Sequence, residues 1–412
     1  MKVFKFGGAS VKDADGVKNV ARVLKNQGFE QCMLIVSAIG KTTNALELVV
    51  ESYFTKQDYK QETAKIKQNH IDIAKGLFPD NHAIFNEIEE FFYDIDSFLR
   101  RNKSPKYNFV YDQVVSCGEM ISSRILSQYL VEIGLENTWV DARDFIKTDA
   151  SYREGIVDWQ LTEKNIKQIN PAGSYVTQGF IGSDENNFTV TLGREGSDYS
   201  AAIYAYCLGA QQMTIWKDVP GVMTGDPRKF EDVELLDHIS YEEAIEMAYY
   251  GASVIHPKTL QPLKQKLIPF FVKSFIKDEM PGTEVSANDN YTRKESYILK
   301  ENQELLTIAT RDFSFIAEDH MSYIFGALSK YKIKVSLIQN SAISLALCLE
   351  DKFGNSQKLN DELKIKFDTN LVNNVSLFTV RNADLNQTDK FYEGKTVLME
   401  QLAGNTLQMV TK

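Results

Sequence analysis

The chain has 412 residues, of which 43% are hydrophobic and 25% are charged. This balance is typical of globular proteins and excludes a mainly disordered or fibrous chain, and the length predicts two or three domains. Lys and Arg number 46 against 56 Asp and Glu, which gives a net charge of −10. That charge argues against nucleic acid or an anionic membrane as a partner.

The sequence carries no sign of a membrane span, a leader or a structural metal. No apolar run approaches the ~18 residues of a transmembrane helix, and the N-terminal segment is charged too early for a signal peptide. The four cysteines are scattered and the five histidines form no HExxH motif. We therefore expect reduced, buried thiols in a cytoplasmic protein and no metal held by a protein cluster.

The first 280 residues alternate strand-like and helix-like segments, an order that predicts a mostly parallel sheet with covering helices. Residues 47–101 are expected to form a helical excursion on this sheet. A capping box begins at Ser240 and predicts a helix through Tyr250. The strand-like runs lie at residues 3–6, 32–36, 138–140, 174–177, 188–192, 213–216 and 268–272.

The pattern changes after a polar segment. We expect a catalytic domain over residues 1–280, a linker over 281–300 and a second region over 301–412. The second region reads as β-α-β-β-α-β, which is the order of a ferredoxin-like unit. Two strand-like pieces end the chain without the helices of a full second copy, so a second repeat is expected to be shortened.

Lys5 is the one charge in the first strand, and Gly7 and Gly8 follow it. Glycines let backbone N–H groups approach a phosphate closely, and open α/β sheets bind ligands where strands end. A plain strand-to-helix turn with a lysine that reaches solvent is an equal alternative on this segment alone.

The segment from Ser37 to Asn44 contains Gly40, Lys41 and Thr42 but is not a P-loop, because Ile35 stands where the first glycine is required. It reads as a hydroxyl-rich helix start. Capping by Thr43 or Asn44 and binding of a carboxylate or phosphate are both open, and capping is the more common case.

Residues 191–200 are the most informative loop, since they combine two glycines with Arg194 and Asp198 before a helix. Arginine offers a planar fork for a carboxylate or phosphate, and aspartate can orient a lysine or bind Mg²⁺. The alternative is that Ser197 caps the helix and Asp198 favours its dipole. Glu119 begins another helix, and the long loop at 216–228 suggests one wall of a nucleotide cleft.

Six segments follow one another along the chain: KFGGASV (5–11), SCGEMISS (116–123), TQGFIG (177–182), TLGREGSDYSA (191–201), KDVPGVMTGDPR (217–228) and YGASVIHPKT (250–259). In this order they resemble the motifs of the amino-acid kinase superfamily, and within it those of the aspartokinases. The resemblance covers nearly the whole chain. It implies the family's three-layer α/β sandwich with a C-terminal ACT-type region, and a monofunctional, cytoplasmic enzyme. The implied reaction is transfer of the ATP γ-phosphoryl group to the side-chain carboxylate of L-aspartate.

The resemblance also implies residue roles, with ATP and Mg²⁺ as co-substrate and cofactor. Lys5 would neutralise the migrating phosphoryl group and Asp198 would hold Lys5 or the metal-bound phosphates. Arg194 would bind a carboxylate of aspartate and Glu119 its α-ammonium. The further residues implied at the aspartate site are Ser37, Thr43, Phe180 and Ser197, and those at the nucleotide are Gly7, Gly8, Ser10, Lys217, Asp218, Met223 and Arg228.

Several residues depart from the family pattern. Ala9 stands where threonine is usual, and Met223 stands where tyrosine is frequent. Glu195 replaces a glycine, which adds a negative charge beside the phosphates and restricts the backbone, and Lys217 could compensate that charge. Ser253 replaces a common lysine.

The C-terminal region is expected chiefly to form a homodimer. Ser336 stands where lysine-sensitive members commonly carry aspartate, which argues against inhibition by lysine. Two alternatives stay open: a glutamate or acetylglutamate kinase of the same superfamily, and an amino-acid sensor that has lost turnover.

Overall fold

The computed structural model describes residues 1–252, 255–312 and 314–412. The chain forms two compact units. Unit 1 consists of Met1–Val222, Leu235–Ile245 and Ile255–Tyr291, and unit 2 of Met223–Glu234, Glu246–Val254 and Thr292–Lys412. No helix of the described ranges is both long enough and apolar enough to cross a bilayer.

Unit 1 contains ten strands and most of the helices. The strands are β1 (Lys2–Phe6), β2 (Cys32–Val36), β3 (Thr138–Trp139), β4 (Tyr175–Gln178), β5 (Ile181–Ser183), β6 (Thr189–Thr191), β7 (Gln212–Lys217), β8 (His238–Ser240), β9 (Phe270–Ser274) and β10 (Thr283–Ser286). The helices are α1 (Ala14–Gln27), α2 (Thr42–Phe54), α3 (Lys60–Lys75), α4 (Ile84–Arg101), α5 (Tyr107–Val115), α6 (Cys117–Glu132), α7 (Ala142–Phe145), α8 (Trp159–Ile166), α9 (Gly196–Leu208), α10 (Tyr241–Tyr250), whose second half belongs to unit 2, and α11 (Pro257–Gln265).

The large sheet of unit 1 has the strand order β3-β4-β2-β1-β7-β9-β10-β8. All neighbours pair in parallel except β9 and β10. Every residue of β2 is buried, as a central parallel strand covered on both faces requires. The predicted α/β class with a mostly parallel sheet is confirmed.

Alternating residues of β1 face opposite sides of the sheet. Phe4 and Phe6 join the core cluster formed with the helices between Ala14 and Glu132. Lys5 points to the opposite face, where it meets Asp198 at the start of α9. Because successive side chains of a strand point to opposite faces, one short strand both anchors the core and carries a charge into the edge of the sheet.

The helix predictions for unit 1 agree with the structure. The excursion over residues 47–101 is built from the helices α2, α3 and α4. The predicted helix start is also confirmed, since the Glu243 N–H donates to the Ser240 hydroxyl at 3.2 Å and α10 begins at Tyr241. The Ser240 N–H donates to the Tyr291 hydroxyl at 3.1 Å, so the structure shows one of the two bonds of a capping box.

Unit 2 is built on an antiparallel sheet. Its elements are β11 (Ser296–Thr310), α12 (Glu318–Tyr331), β12 (Lys334–Asn340), β13 (Ser344–Glu350), α13 (Ser356–Leu363), β14 (Phe367–Arg381), α14 (Asp389–Tyr392), β15 (Val397–Ala403) and β16 (Thr406–Thr411). The strand order is β12-β13-β11-β14-β16-β15. The first six elements confirm the β-α-β-β-α-β order, and β15 and β16 follow only the short helix α14.

The range predicted as a linker is not irregular throughout. β10 occupies Thr283–Ser286, and β11 already begins at Ser296. The turn-rich residues between these strands are the part that matches the prediction. The domain boundaries at residues 280 and 301 stay a prediction.

Candidate active site

The loops singled out by the sequence meet at the carboxyl edge of the unit 1 sheet. β4, β2, β1 and β7 are consecutive parallel neighbours, so the segments that follow them emerge side by side. The Gly40 N–H donates to the Gly8 carbonyl at 3.0 Å, and the Gly179 N–H donates to the Val36 carbonyl at 2.9 Å. These bonds tie together the loops after three strands, at the edge where open α/β sheets bind ligands.

Lys5 and Asp198 form an ion pair at this edge. The Lys5 Nζ lies 2.6 Å from Asp198 Oδ1, and the two side chains are only 11% and 4% exposed. The Lys217 Nζ lies 3.9 Å from the other carboxylate oxygen. Burial alone would raise the pKa of Asp198, but the ammonium groups of Lys5 and Lys217 outweigh it and hold the pKa below its ordinary value. The site therefore holds its lysines around a charged carboxylate.

The glycine turn after β1 brings backbone close to the ammonium group. A Cβ on Gly7 would lie 3.4 Å from the Lys5 Nζ, and one on Gly8 would lie 2.6 Å from the Ala38 carbonyl oxygen. The second distance is too short for any side chain, so glycine is required there. The Ser10 hydroxyl that follows is buried and has no hydrogen-bond partner within the described ranges. It is a polar group that a ligand would satisfy.

Glu119 lies in the first turn of α6 and is buried, with 2% exposed. Gly118 allows the close approach, since a Cβ there would lie 3.1 Å from side-chain carbons of Ala38 and Thr42. The Glu119 Oε2 has no hydrogen-bond partner among the described residues, and burial raises the pKa of the carboxyl to about 8. A cation beside this oxygen would supply the missing partner and favour the ionised form.

Arg194 is exposed on the loop between β6 and α9, and Glu195 beside it adopts a left-handed backbone with φ 55°. That conformation favours glycine, so the prediction that glutamate restricts the backbone here agrees with the structure. Burial and the neighbouring Asp198 carboxylate raise the pKa of Glu195, and the Lys217 ammonium opposes them. The added acid thus faces the same carboxylate and lysine that form the centre of the site.

Ser197 does not cap α9, so that part of the alternative was wrong, whereas Asp198 does lie in the first turn of the helix. The N-cap residue is Glu195, and no side chain caps the helix. Ser197 instead packs against the loop after β4. A Cβ added to Gly179 in that loop would lie 2.5 Å from the Ser197 Cβ. Phe180 follows with a left-handed backbone, φ 71°, and its N–H donates to the Ser200 hydroxyl at 2.9 Å. Phe180 and Ser197 therefore lie together at the start of α9.

Capping by Thr43 or Asn44 was also wrong. α2 begins at Thr42, its N-cap residue is Lys41, and no side chain bonds to its first N–H groups. Thr43 is in the first turn. The Ser37 carbonyl accepts a hydrogen bond from the Ser122 hydroxyl at 2.7 Å, which ties this loop to α6. Binding of a carboxylate or phosphate by this hydroxyl-rich turn stays a prediction.

Four of the residues expected at the nucleotide belong to two different units. Lys217 ends β7 beside Asp198, and Asp218 follows it in an exposed position. Met223 and Arg228 belong to unit 2, where Arg228 Nε donates to Asp226 Oδ1 at 2.9 Å. Ser253 lies outside the described residues. Of these four residues, Lys217 is the one whose ion pair with Asp198 the structure describes.

Two residues next to the site were not predicted from the sequence. Asp112 is fully buried in α5 and accepts hydrogen bonds from Arg153 and Thr191. Arg153 has a left-handed backbone, φ 74°. A charged residue within the mostly apolar segment from Phe109 to Val115 was the available signal for Asp112, whereas nothing local distinguishes Arg153.

Comparisons with known proteins agree with this geometry. Residues 1–274 match the amino acid kinase family. The chain is 34% identical over 357 residues to lysine-sensitive aspartokinase 3 of Escherichia coli, covering 84% of this chain and 78% of that protein. It is 32% identical over 365 residues to chloroplastic aspartokinase 1 of Arabidopsis thaliana, covering 84% of this chain and 63% of the relative.

Solved structures show the same fold over the full length of the chain. E. coli aspartokinase III in complex with lysine and aspartate superposes with a TM-score of 0.84 at 28% identity, covering 100% of this chain and 95% of that one. The same enzyme in complex with aspartate and ADP gives a TM-score of 0.82 at 28% identity, covering 100% and 96%. The chain therefore belongs to the amino acid kinase family and, within it, to the aspartokinases.

Proposed function

We infer that this protein is an aspartate kinase, which transfers the γ-phosphoryl group of ATP to the side-chain carboxylate of L-aspartate and yields 4-phospho-L-aspartate and ADP. The observation that carries the proposal is the buried Lys5–Asp198 ion pair beside the glycine turn. E. coli aspartokinase III, whose structure this chain shares, is solved with aspartate and ADP.

Phosphoryl transfer depends more on positioning and neutralisation of charge than on covalent chemistry by the enzyme. A carboxylate oxygen of aspartate forms a bond to the γ-phosphorus while the bond from that phosphorus to the β–γ bridging oxygen breaks, and the electron pair leaves with ADP. In this proposal the Lys5 ammonium faces the negative charge of the migrating group. Asp198 fixes that ammonium, and Gly7, Gly8 and Ser10 border the phosphates.

The aspartate substrate carries charges at both ends, and the site offers a group for each. Glu119 is the proposed partner of the α-ammonium, because its Oε2 is buried without a partner in the part of the chain that the structure describes. Arg194 is the proposed partner of a carboxylate, since a guanidinium suits two-pronged binding. Ser37, Thr43, Phe180 and Ser197 complete the proposed pocket.

The nucleotide side of the proposal includes Lys217, Asp218, Met223 and Arg228. Within the described ranges no three or more His, Cys, Asp and Glu residues are grouped as a metal site. Mg²⁺ would therefore be bound mainly by the phosphates of ATP, as is usual for this ion, and Asp198 is the carboxylate of this chain that would face it. Its contribution would be to neutralise phosphate charge.

We also propose a cytoplasmic homodimer that associates through unit 2. All four cysteines are unpaired thiols, which suits a reducing compartment. The edge strand β15 exposes Leu398 and Leu402 by 39% and 51%, and an exposed edge strand with apolar side chains is a site for pairing. Light scattering of the purified chain tests the dimer, and Leu402→Lys is expected to shift it toward the monomer.

A substrate panel tests the main proposal and separates the alternatives. ADP release and hydroxamate formation should depend on L-aspartate, with little turnover of L-glutamate, N-acetylglutamate or UMP. A preference for glutamate or acetylglutamate would transfer the assignment to another kinase of the superfamily. Binding of aspartate without any turnover would instead identify a sensor.

A further inference from the structure

Asp112 anchors the strand that leads into the Arg194 loop. Its Oδ2 accepts the Arg153 and Thr191 backbone N–H groups, each at 2.9 Å, and its Oδ1 accepts the Thr191 hydroxyl at 2.8 Å. The carboxyl group is fully buried. Thr191 is the last residue of β6 and stands three positions before Arg194. Hydrogen bonds to a buried carboxylate are strong and directional, so Asp112 fixes the point where this loop begins.

Arg153 continues the network on both sides. A Cβ added to Gly193, the residue directly before Arg194, would lie 3.3 Å from the Arg153 carbonyl oxygen. Its guanidinium Nη2 donates to Glu47 Oε1 at 2.9 Å and its Cζ lies 4.0 Å from the centre of the Tyr111 ring. Glu47 belongs to α2, one turn after Thr43. Arg153 therefore spans from the Arg194 loop to the helix that carries Thr43.

The backbone of Arg153 shows that these contacts constrain it. Its φ of 74° is unfavourable for a residue with a side chain, and such residues persist where the surroundings fix them. The Gly155 N–H adds a bond to the Thr191 carbonyl at 2.9 Å. Burial raises the pKa of Asp112 to about 6, while the Arg153 and Thr191 hydrogen bonds oppose it, so the group is a carboxylate above neutral pH.

We propose that Asp112 and Arg153 are positioning residues for aspartate, which hold the Arg194 loop and α2 at a fixed separation so that both bind one substrate molecule. This inference rests on the proposed aspartate kinase function. Neither residue needs to touch the substrate. We expect their effect on aspartate rather than on ATP, because the Asp112 hydrogen bonds end at Thr191, on the strand that leads to Arg194. The Gly8 carbonyl of the Lys5 turn instead accepts its hydrogen bond from the Gly40 N–H.

The test is a KM comparison on the full-length enzyme. Asp112→Ala should raise the aspartate KM about tenfold or more, since small misplacements of binding groups are costly, and should leave the ATP KM within about twofold. Asp112→Asn should restore most of the aspartate KM. Its carboxamide oxygen can accept both N–H groups, while its NH₂ can donate to the Thr191 hydroxyl, which serves as donor or acceptor.

Val114→Ala is the matched control. Val114 lies on the same helix and is also fully buried, but in the apolar core, so its truncation should lower thermal stability without changing the aspartate KM. A double variant adds a second readout. If Asp112 acts through Arg194, Asp112→Ala in an Arg194→Ala background should raise the aspartate KM by much less than it does alone.

The outcomes separate this inference from the function on which it rests. A wild-type enzyme without aspartate-dependent turnover would overturn both. Normal wild-type turnover with an unchanged aspartate KM in Asp112→Ala would overturn the positioning role alone. So would equal increases in the aspartate and ATP KM values, a Val114→Ala variant with the same kinetic defect, or full additivity with Arg194→Ala.

Discussion

The two units differ in the polar groups that they bury. Unit 1 buries ionisable side chains that include Lys5, Asp112, Glu119 and Asp198. Among the described residues of unit 2, the buried polar side chains are hydroxyls and amides, such as Gln303, Ser336 and Asn360, and its acids and bases are at least partly exposed. Buried charge is costly unless it is paired.

This difference indicates where the chemistry lies. A unit that only has to fold can satisfy its interior with neutral groups, as Ser336 does by donating to Gln303 Oε1 at 3.0 Å. Unit 1 retains ionisable groups whose partners are incomplete, above all Glu119. Incompletely paired buried charges are frequent at functional sites. Variants that remove charge should therefore affect the two units differently.

The largest contrast is expected for a lysine from each unit. Lys5→Ala should lower kcat by about 10²–10⁵-fold, the range typical of groups that stabilise charge in phosphoryl transfer. Lys330→Ala in unit 2 removes an exposed ion pair with Glu362 at 2.5 Å and should change kcat by less than about twofold. Steady-state ADP release measures both. A Lys5→Ala enzyme with near-normal turnover would contradict the role given to this lysine.

Glu119 should make the stability of unit 1 depend on pH. Burial raises its pKa from 4.5 to about 8, so the folded protein keeps a proton that the unfolded chain releases above pH 4.5. The Glu119 contribution therefore becomes more unfavourable as pH rises from about 4.5 to 8. Glu119→Gln should stabilise the free enzyme at pH 7 by about 3 kcal/mol, and by little at pH 4.5. Denaturant titrations at the two pH values measure this difference.

The same carboxyl should report substrate binding. If Glu119 pairs with the α-ammonium, aspartate binding at pH 7 should release a proton, and this release should vanish in Glu119→Gln. Calorimetry in two buffers of different ionisation enthalpy measures it. Binding by the wild type without proton release at pH 7 would count against this pairing.

Arg194 should affect one substrate only. Arg194→Ala should raise the aspartate KM by about 10–100-fold, the equivalent of one charged hydrogen-bonded contact, and should spare ATP. Arg311 of unit 2 is a matched control, because it is also exposed and donates to the backbone carbonyls of Lys364 and Phe367. Arg311→Ala should alter stability but neither KM. An equal rise in both KM values for Arg194→Ala would contradict the assignment.

Local patterns predicted much of this molecule. Lys5 within an apolar strand, the glycines after it and the helix start at Ser240 are short-range signals, and the structure agrees with each. The contacts of Asp112 were not predictable, because they join residues 41 and 79 positions apart. β11 and β14 extend to 15 residues each through polar segments. These two strands pair with each other, with register shifts near Gln303. The pairing satisfies the backbone hydrogen bonds of segments that the sequence pattern predicted as loop.

The smallest expected effect compares two left-handed residues, one in each unit. Glu195 has φ 55° and Lys332, the C-cap residue of α12, has φ 57°. Replacement of either by glycine relieves backbone strain of about 1 kcal/mol. Lys332→Gly should gain only that amount. Glu195→Gly should gain more as the pH rises above the ordinary glutamate pKa of 4.5, because it also removes a partly buried carboxyl whose pKa is raised by burial and by Asp198.

Thermal unfolding of the two variants at pH 4 and pH 8, on either side of the range that begins at the ordinary glutamate pKa of 4.5, distinguishes these terms. The gain from Lys332→Gly should be the same at both pH values. The gain from Glu195→Gly should be larger at pH 8, where keeping Glu195 protonated or placing its charge beside Asp198 costs most. Equal gains at both pH values would mean that Lys217 fully compensates the Glu195 carboxylate. In that case the extra acid and the extra lysine are a neutral pair, and unit 1 buries no more uncompensated charge at this loop than unit 2 does in its interior.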